Sequence, residues 1–210
     1  MFTNRREAGH LLAKMLEEKQ IKFDLVLGIP RGGVAVAEII ASYFNCPLDV
    51  VMTKKIASPN WEEFAIGAVT PDGEILIHER VQKIINVDKD TVENLAQKVK
   101  ADIASRLSRF RGPKPPLQLE GKDILLVDDG IATGFTLKAA VRYLKRQSDG
   151  RISVAVPVSS RNAYLNLLED VDELIALLIP EEFYAVSQFY QDFTAVEDRE
   201  VIAILQRCQG

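Results

Sequence analysis

Apolar runs and amphipathic stretches alternate along most of this chain. Leu11, Leu12, Met15 and Leu16 share one face of a stretch that Asn4 can cap and that runs to about Lys19, which predicts an opening helix. FDLVLGIP, from Phe23 to Pro30, is a short apolar run stopped by glycine and proline and reads as a buried strand. From Gly33 to Phe44 the pattern is helical, with Gly32-Gly33 at its entrance, and LDVVMTKK, Leu48 to Lys55, reads as a second strand. That β-α-β order predicts a parallel sheet.

The segment from Ile56 to His78 breaks the rhythm. It opens irregularly around Pro59, Asn60 and Trp61, then reads as a hairpin, AIGAVT and EILIH, turned at Pro71-Asp72-Gly73. A long helix is predicted from Lys89, with Val92, Leu95, Val99, Ile103 and Leu107 on one stripe, and GPKPP (Gly112 to Pro116) stops it. The alternation then resumes. ILLV is a strand, Thr136 to Gln147 a helix, RISVAVPV a strand, Asn162 to Leu168 a helix, Asp172 to Pro180 a last strand, and Glu197 to Gln206 a final helix. GPKPP is too short to separate domains, so residues 1–210 are expected to form one α/β domain.

Composition changes this picture little. Apolar content of 47 % and charged content of 27 % are ordinary for a globular chain. A chain of this length buries about 70 % of its unfolded surface, so it needs no disulfide or metal staple. A net charge of -4 gives no support to broad nucleic-acid binding. Cys46 and Cys208 form no C-x-x-C pattern and read as free thiols of a reducing compartment. MFTNRREAGH has no apolar signal core, and no apolar run approaches the ~20 residues of a membrane span. A soluble, cytoplasmic protein is expected.

The chemistry concentrates at two glycine-rich turns. ILLVDDGIATGFT, Ile124 to Thr136, ends a strand on two adjacent carboxylates and enters a helix at Gly134. The N–H groups from Ala132 to Thr136 would be left unpaired by the helix and could hold an anion, with Thr133 and Thr136 adding hydroxyls. Asp128 and Asp129 repel such an anion, so they face a diol, a metal, or both. A sugar carrying a phosphate meets both demands. GIPRGG, Gly28 to Gly33, is a second strand-to-helix turn. It lacks the Lys-Ser/Thr of a Walker A loop, since Val34-Ala35 stand there, but it offers backbone donors and the guanidinium fork of Arg31. Two anion cradles with carboxylates in one sheet imply a ligand with two separated phosphate groups and a diol. Phosphoribosyl pyrophosphate has that outline.

The thirteen residues from Ile124 to Thr136 resemble the ribose-5-phosphate motif of type I phosphoribosyltransferases, and GIPRGG followed by GAV is similar to bacterial proteins described as predicted phosphoribosyltransferases. The resemblance covers most of the chain. It implies a Rossmann-like parallel-sheet core with a hairpin or lid and a small C-terminal hood. It implies that Asp128 and Asp129 bind the ribose hydroxyls. Ala132, Thr133, Gly134, Phe135 and Thr136 would bind the 5-phosphate. Arg31 and Gly32 would bind pyrophosphate at a turn that often holds a non-proline cis peptide. Ile56 to Phe64 sits where the family's mobile loop belongs. Lys54 or Lys55 then either neutralises pyrophosphate or is a solvated strand end, and Trp61 is either part of that loop, a core anchor or a dimer contact. IPEEFYAV is similar to a purine-holding segment of the hypoxanthine-guanine branch, where Phe183 would stack on a base and Tyr184 would give backbone hydrogen bonds; the same aromatics could equally cover the sheet edge. That branch carries an acidic residue where this chain has Ala132, so the loop and the aromatic segment point to different bases.

The implied reaction transfers ribose 5-phosphate from phosphoribosyl pyrophosphate to a nitrogenous base. Mg2+ would arrive with the substrate, without a defined protein ligand, and the resemblance implies a homodimer. The alternative is a non-catalytic regulator of the same fold that binds phosphoribosyl pyrophosphate without turning it over. A phosphorelay receiver is excluded: no lysine lies beyond Lys145, and 123 residues precede LLVDD's strand. His10 and His78 have no metal-ligand spacing. Arg106, Arg109, Arg111 and Lys114 give the long helix a basic end, which suits its dipole and solvent or marks a subunit or polyanion contact.

Overall fold

The computed structural model of the protein describes residues 1–58, 65–77 and 88–208. Five strands form one parallel sheet: β1 (Leu25–Gly28), β2 (Leu48–Val50), β6 (Ile124–Val127), β7 (Ile152–Val158) and β8 (Glu173–Leu178), in the order β2-β1-β6-β7-β8. The connecting helices are α1 (Arg5–Glu18), α2 (Gly32–Phe44), α3 (Lys89–Arg111), α4 (Phe135–Gln147), α5 (Arg161–Leu168) and α6 (Asp198–Cys208). β3 (Lys54–Ala57), β4 (Ala65–Val69) and β5 (Ile75–Ile77) form a separate antiparallel sheet.

The apolar runs become strands because both sheet faces are covered. Val26, Leu125, Val127 and Ala155 pack to the side that holds α1, α2 and α6, while Leu25, Leu27, Leu126, Val154 and Val156 pack against α4 and α5. Burial of every residue of β1, β6 and β7 follows.

The expected single strand from Leu48 to Lys55 is instead two. β1 pairs with β2 only as far as Gly28 opposite Val50, and then turns away at Pro30. The Val51 N–H makes a last bond to the Gly28 carbonyl at 3.2 Å; beyond it the chain leaves the sheet, and Lys54 re-pairs antiparallel with Val69 next to the hairpin. Ile56, expected to open an irregular stretch, is a fully buried strand residue. The hairpin itself stands as expected, with Gly73 at a φ of 93° in its turn. Pro59, Asn60, Trp61 and the rest of the expected loop to Phe64 lie outside the described residues, as does His78.

The hood has a component that the periodicity did not suggest. The Phe2 N–H donates to the Phe189 carbonyl at 2.7 Å, and the Gln191 N–H donates to the Phe2 carbonyl at 2.8 Å. The first residues thus pair with the segment after β8, and the rings of Phe2 and Tyr190 lie 5.3 Å apart. No helix among the described residues is long and apolar enough to cross a membrane.

Candidate active site

β2 follows β1 on one side of it and β6 lies on the other, so the connections out of β1 and β6 leave in opposite directions. The crevice beyond the carboxyl ends of such a strand pair is where open α/β sheets bind ligands. Both glycine-rich turns lie there. The Ile29 N–H donates to the Val127 carbonyl at 2.9 Å, which holds the two turns side by side.

Helix capping separates these turns from the starts of α1, α3 and α5. Asn4, Asp88 and Ser160 cap α1, α3 and α5 with their own side chains. α2 starts at Arg31 and α4 at Gly134 with no side-chain cap. A helix start that lacks a cap leaves backbone donors and a partial positive charge for another acceptor. Here both face one crevice, with Asp128 and Asp129 between them.

Each turn has its own construction. The Pro30–Arg31 peptide is cis, the feature that the resemblance implies for this turn. Gly32 and Gly33 lean directly on the diacid: a Cβ at Gly32 would fall on the Asp129 carboxylate, and one at Gly33 would come within 2.8 Å of the Asp128 Cα. Gly134 has a φ of 74°, a left-handed conformation that lets the chain enter α4 after an exposed Ala132 and Thr133. Ser160 Oγ donates to the Ala132 carbonyl at 2.6 Å, and Thr53 Oγ1 donates to the Thr136 carbonyl at 2.7 Å, so carbonyls of the loop are held from outside. The Phe135 side chain packs with Ala68 and Leu76 of the hairpin. A cavity of about 880 Å³ opens beside Thr133 and Gly134, with Lys138 and Arg142 in its wall. A second of the same volume, lined by Tyr143, Ser148 and Leu117, lies at the far end of α4, away from both turns.

The two acids differ. The Asp128 carboxyl accepts from the Asp129 N–H at 2.8 Å and is tucked beneath Gly33; burial, then the adjacent Asp129 carboxylate, push its pKa well above the usual range. Asp129 is held by Arg5, whose Nε donates to Oδ2 at 2.8 Å. Both side chains are largely buried, at 11 % and 16 % exposure. The Arg5 guanidinium also donates to the Thr194 carbonyl at 2.8 Å and lies 3.8 Å from the centre of the Phe193 ring. Tyr190 donates its hydroxyl to the Asp129 carbonyl at 2.7 Å, and burial, then the nearby Asp129 charge, push that hydroxyl's pKa up. Arg5, Tyr190 and Phe193 were not among the candidates. Arg5 and Tyr190 touch Asp129 from α1 and from the hood, and Phe193 lies against Arg5; no local spacing marks such contacts.

The remaining candidates are spread more widely. Lys54 donates to Asp102 of α3 at 2.7 Å, and Lys55, next along β3, is exposed. Adjacent strand residues point to opposite faces, so the two lysines do not converge. Arg31 leans toward Asp198 at 3.7 Å. Phe183 stacks on Phe189 at 5.5 Å, the exposed Tyr184 donates its N–H to Gln188 Oε1 at 3.1 Å, and Val186 between them covers Gly130. Of the basic helix end, Arg106 and Arg109 meet Asp198, while Arg111 donates to both oxygens of the buried Asp49 at 2.9 and 3.1 Å.

A doubly wound α/β domain with two glycine-rich turns in one crevice is what this geometry defines. The chain belongs to the phosphoribosyl transferase family: the family's phosphoribosyl transferase domain matches residues 3–194. A Mycobacterium tuberculosis protein, itself only provisionally named a phosphoribosyl transferase, is 35 % identical over 207 residues, which is 99 % of this chain and 47 % of that protein. The chain therefore spans about half the length of that relative. The crystal structure of TT1426 from Thermus thermophilus is 38 % identical with a TM-score of 0.85 over the whole of both chains. A hypothetical protein from Neisseria gonorrhoeae with bound ppGpp shares the fold, with a TM-score of 0.54 at 16 % identity and 97 % and 92 % coverage.

Proposed function

We propose that this domain transfers ribose 5-phosphate from phosphoribosyl pyrophosphate to a ring nitrogen of a nitrogenous base, and that residues 1–210 act as one such domain. The observation that carries the reading is the pair of uncapped helix starts on either side of Asp128-Asp129. The α4 start, Ala132 to Thr136, would take the 5-phosphate. Asp128 and Asp129 would hold the ribose diol, and the α2 start, with Arg31 and Gly32, would take the pyrophosphate. The bond from C1 to the pyrophosphate oxygen breaks as the bond from C1 to the base nitrogen forms. Positive charge grows on the sugar beside the two acids, and negative charge grows on the leaving group beside Arg31.

Mg2+, when bound, neutralises the pyrophosphate. The hard oxygen donors of Asp128 and Asp129 suit it. Among the described residues no cluster of three or more His, Cys, Asp or Glu could hold a metal ion, so most of its shell would come from substrate and water. Phe183 and Tyr184 are the base-side candidates of the hood. Of the lysines of β3, Lys54 or Lys55 would help neutralise the leaving group. The reading carries with it a nucleobase acceptor, a cytoplasmic location and a homodimer.

The test is pyrophosphate release from phosphoribosyl pyrophosphate and Mg2+ across a panel of bases, followed by calorimetry. Release with one base is the expected result. Tight binding with no release would move the assignment to a regulator, and no binding would remove it.

A further inference from the structure

Three guanidiniums meet on one carboxylate next to the α2 turn. Asp198, the first residue of α6, is 3.0 Å from Arg106 Nη2, 3.7 Å from Arg31 Nη1, and in contact with Arg109 Nη2. Arg31 comes from the turn itself, whereas Arg106 and Arg109 come from α3. One helical turn before Arg106, Asp102 accepts from Lys54 at 2.7 Å. The group thus holds four cations against two carboxylates and is left with a surplus of positive charge.

The hydrogen bonding is also incomplete. A carboxylate has about four lone-pair sites, while each guanidinium brings five donors. Asp198 cannot satisfy three of them, and the buried Nε of Arg106 has no hydrogen-bond partner. Two arginines share the same Asp198 oxygen, Oδ1, so one phosphate group could touch both. Planar, bidentate donors are the ones that suit phosphate oxygens. A helix tie between α3 and α6 needs one arginine on Asp198; three of them, with Arg31 drawn from the turn, form an anion site that a carboxylate fills in part.

We propose that Arg106 and Arg109 extend the pyrophosphate site. They bind the diphosphate group together with Arg31, and Asp198 is an internal anion that the diphosphate displaces. This rests on the transferase reading above. It adds a second element, α3, to the leaving-group side of the crevice, so that charge on the departing diphosphate is met from two directions.

The test uses calorimetry with two probes, inorganic pyrophosphate with Mg2+ and ribose 5-phosphate. It compares the unaltered chain, the double variant Arg106→Gln with Arg109→Gln, and Asp198→Asn. The double variant should lose roughly tenfold or more in pyrophosphate affinity, the scale of a lost charge-assisted contact. Asp198→Asn should gain several-fold, because the competing carboxylate is gone. Ribose 5-phosphate affinity should change in neither. A gain on Asp198→Asn cannot come from loosened packing, but Arg31 also faces that carboxylate and could give it alone; if the double variant does not fold, the single variants Arg106→Gln and Arg109→Gln decide, each measured with and without Asp198→Asn. Pyrophosphate affinity unchanged in a folded double variant, or no gain on Asp198→Asn, overturns the proposal. If the unaltered chain binds both probes while the variants fail in either of these ways, only this extension falls; if it binds neither probe, the transferase reading falls with it.

Discussion

The two crevice turns look alike in one dimension and differ in three. Both are glycine-rich, both follow a fully buried strand, and both start a helix without a side-chain cap. The β6–α4 turn uses its glycine for a dihedral angle, since Gly134 sits at a φ of 74°. The β1–α2 turn uses its glycines for room: Gly32 and Gly33 press against Asp129 and Asp128. One turn is a cradle shaped by its own backbone. The other is a wall that is also the floor under the neighbouring acids.

This difference sets the largest expected effect. Gly32→Ala places a methyl group on the Asp129 carboxylate, beside Arg5 Nε, and should break the Arg5–Asp129 pair. Overpacking of this kind costs about 1–3 kcal/mol, and the proposed diol clamp would be lost with it. Binding of phosphoribosyl pyrophosphate should fall by roughly a hundredfold, the ratio that ~2.7 kcal/mol represents. Gly134→Ala meets nothing closer than 3.4 Å and has only its dihedral to bear, at about 1–2 kcal/mol. Its affinity loss should be nearer tenfold. Calorimetry and thermal melts on both variants check the ranking; a larger binding defect at Gly134 would mean that the two turns do not divide the work in this way.

The same contrast explains what could be read in advance. The parallel sheet, its helices and the strand-to-helix turn at Gly134 were legible because each depends on local pattern: buried apolar runs, a helical stripe, and a diacid followed by a glycine-threonine loop. The end of β2 was not, because it depends on where β1 stops offering a partner. Arg5 was not, because an arginine in the first turn of a surface helix has no signature until the hood folds over it. Asp198 and Arg106 stand 92 positions apart, so their meeting has no local signature either. What the sequence concealed was the set of contacts between distant segments around an otherwise local motif.

An effect of the same order as at Gly134 is expected at Asp129. Asp129→Asn keeps an oxygen for Arg5 Nε but removes the charge, at about 1.5–3 kcal/mol for a hydrogen bond to a charged group. That is within the stability of an ordinary domain, so the chain should remain folded. Affinity for ribose 5-phosphate should fall at least tenfold, and further when Asp128→Asn is added. Unchanged affinity would sink the diol assignment while leaving the anion turns untouched.

The smallest effect is one of stability, and it runs in the opposite direction. Gly33 covers Asp128, and burial with the neighbouring Asp129 charge raises the Asp128 pKa. The native chain therefore holds this proton to higher pH than the unfolded chain, whose aspartates titrate near ~3.9. Between those two values the native state binds more protons, so stability falls as pH rises through the window, and the full penalty is present above the native pKa. Asp128→Asn cannot ionise and still offers an oxygen to the Asp129 N–H. At neutral pH it should melt above the unaltered chain. The gap should close as pH falls toward ~4. Because the Asp129 charge is the second cause of the shift, the gain should be smaller when Asp128→Asn is made on top of Asp129→Asn. A gain that is the same at every pH would instead mean that Asn packs better beneath Gly33, and that the wall over the diacid sets shape alone and not charge.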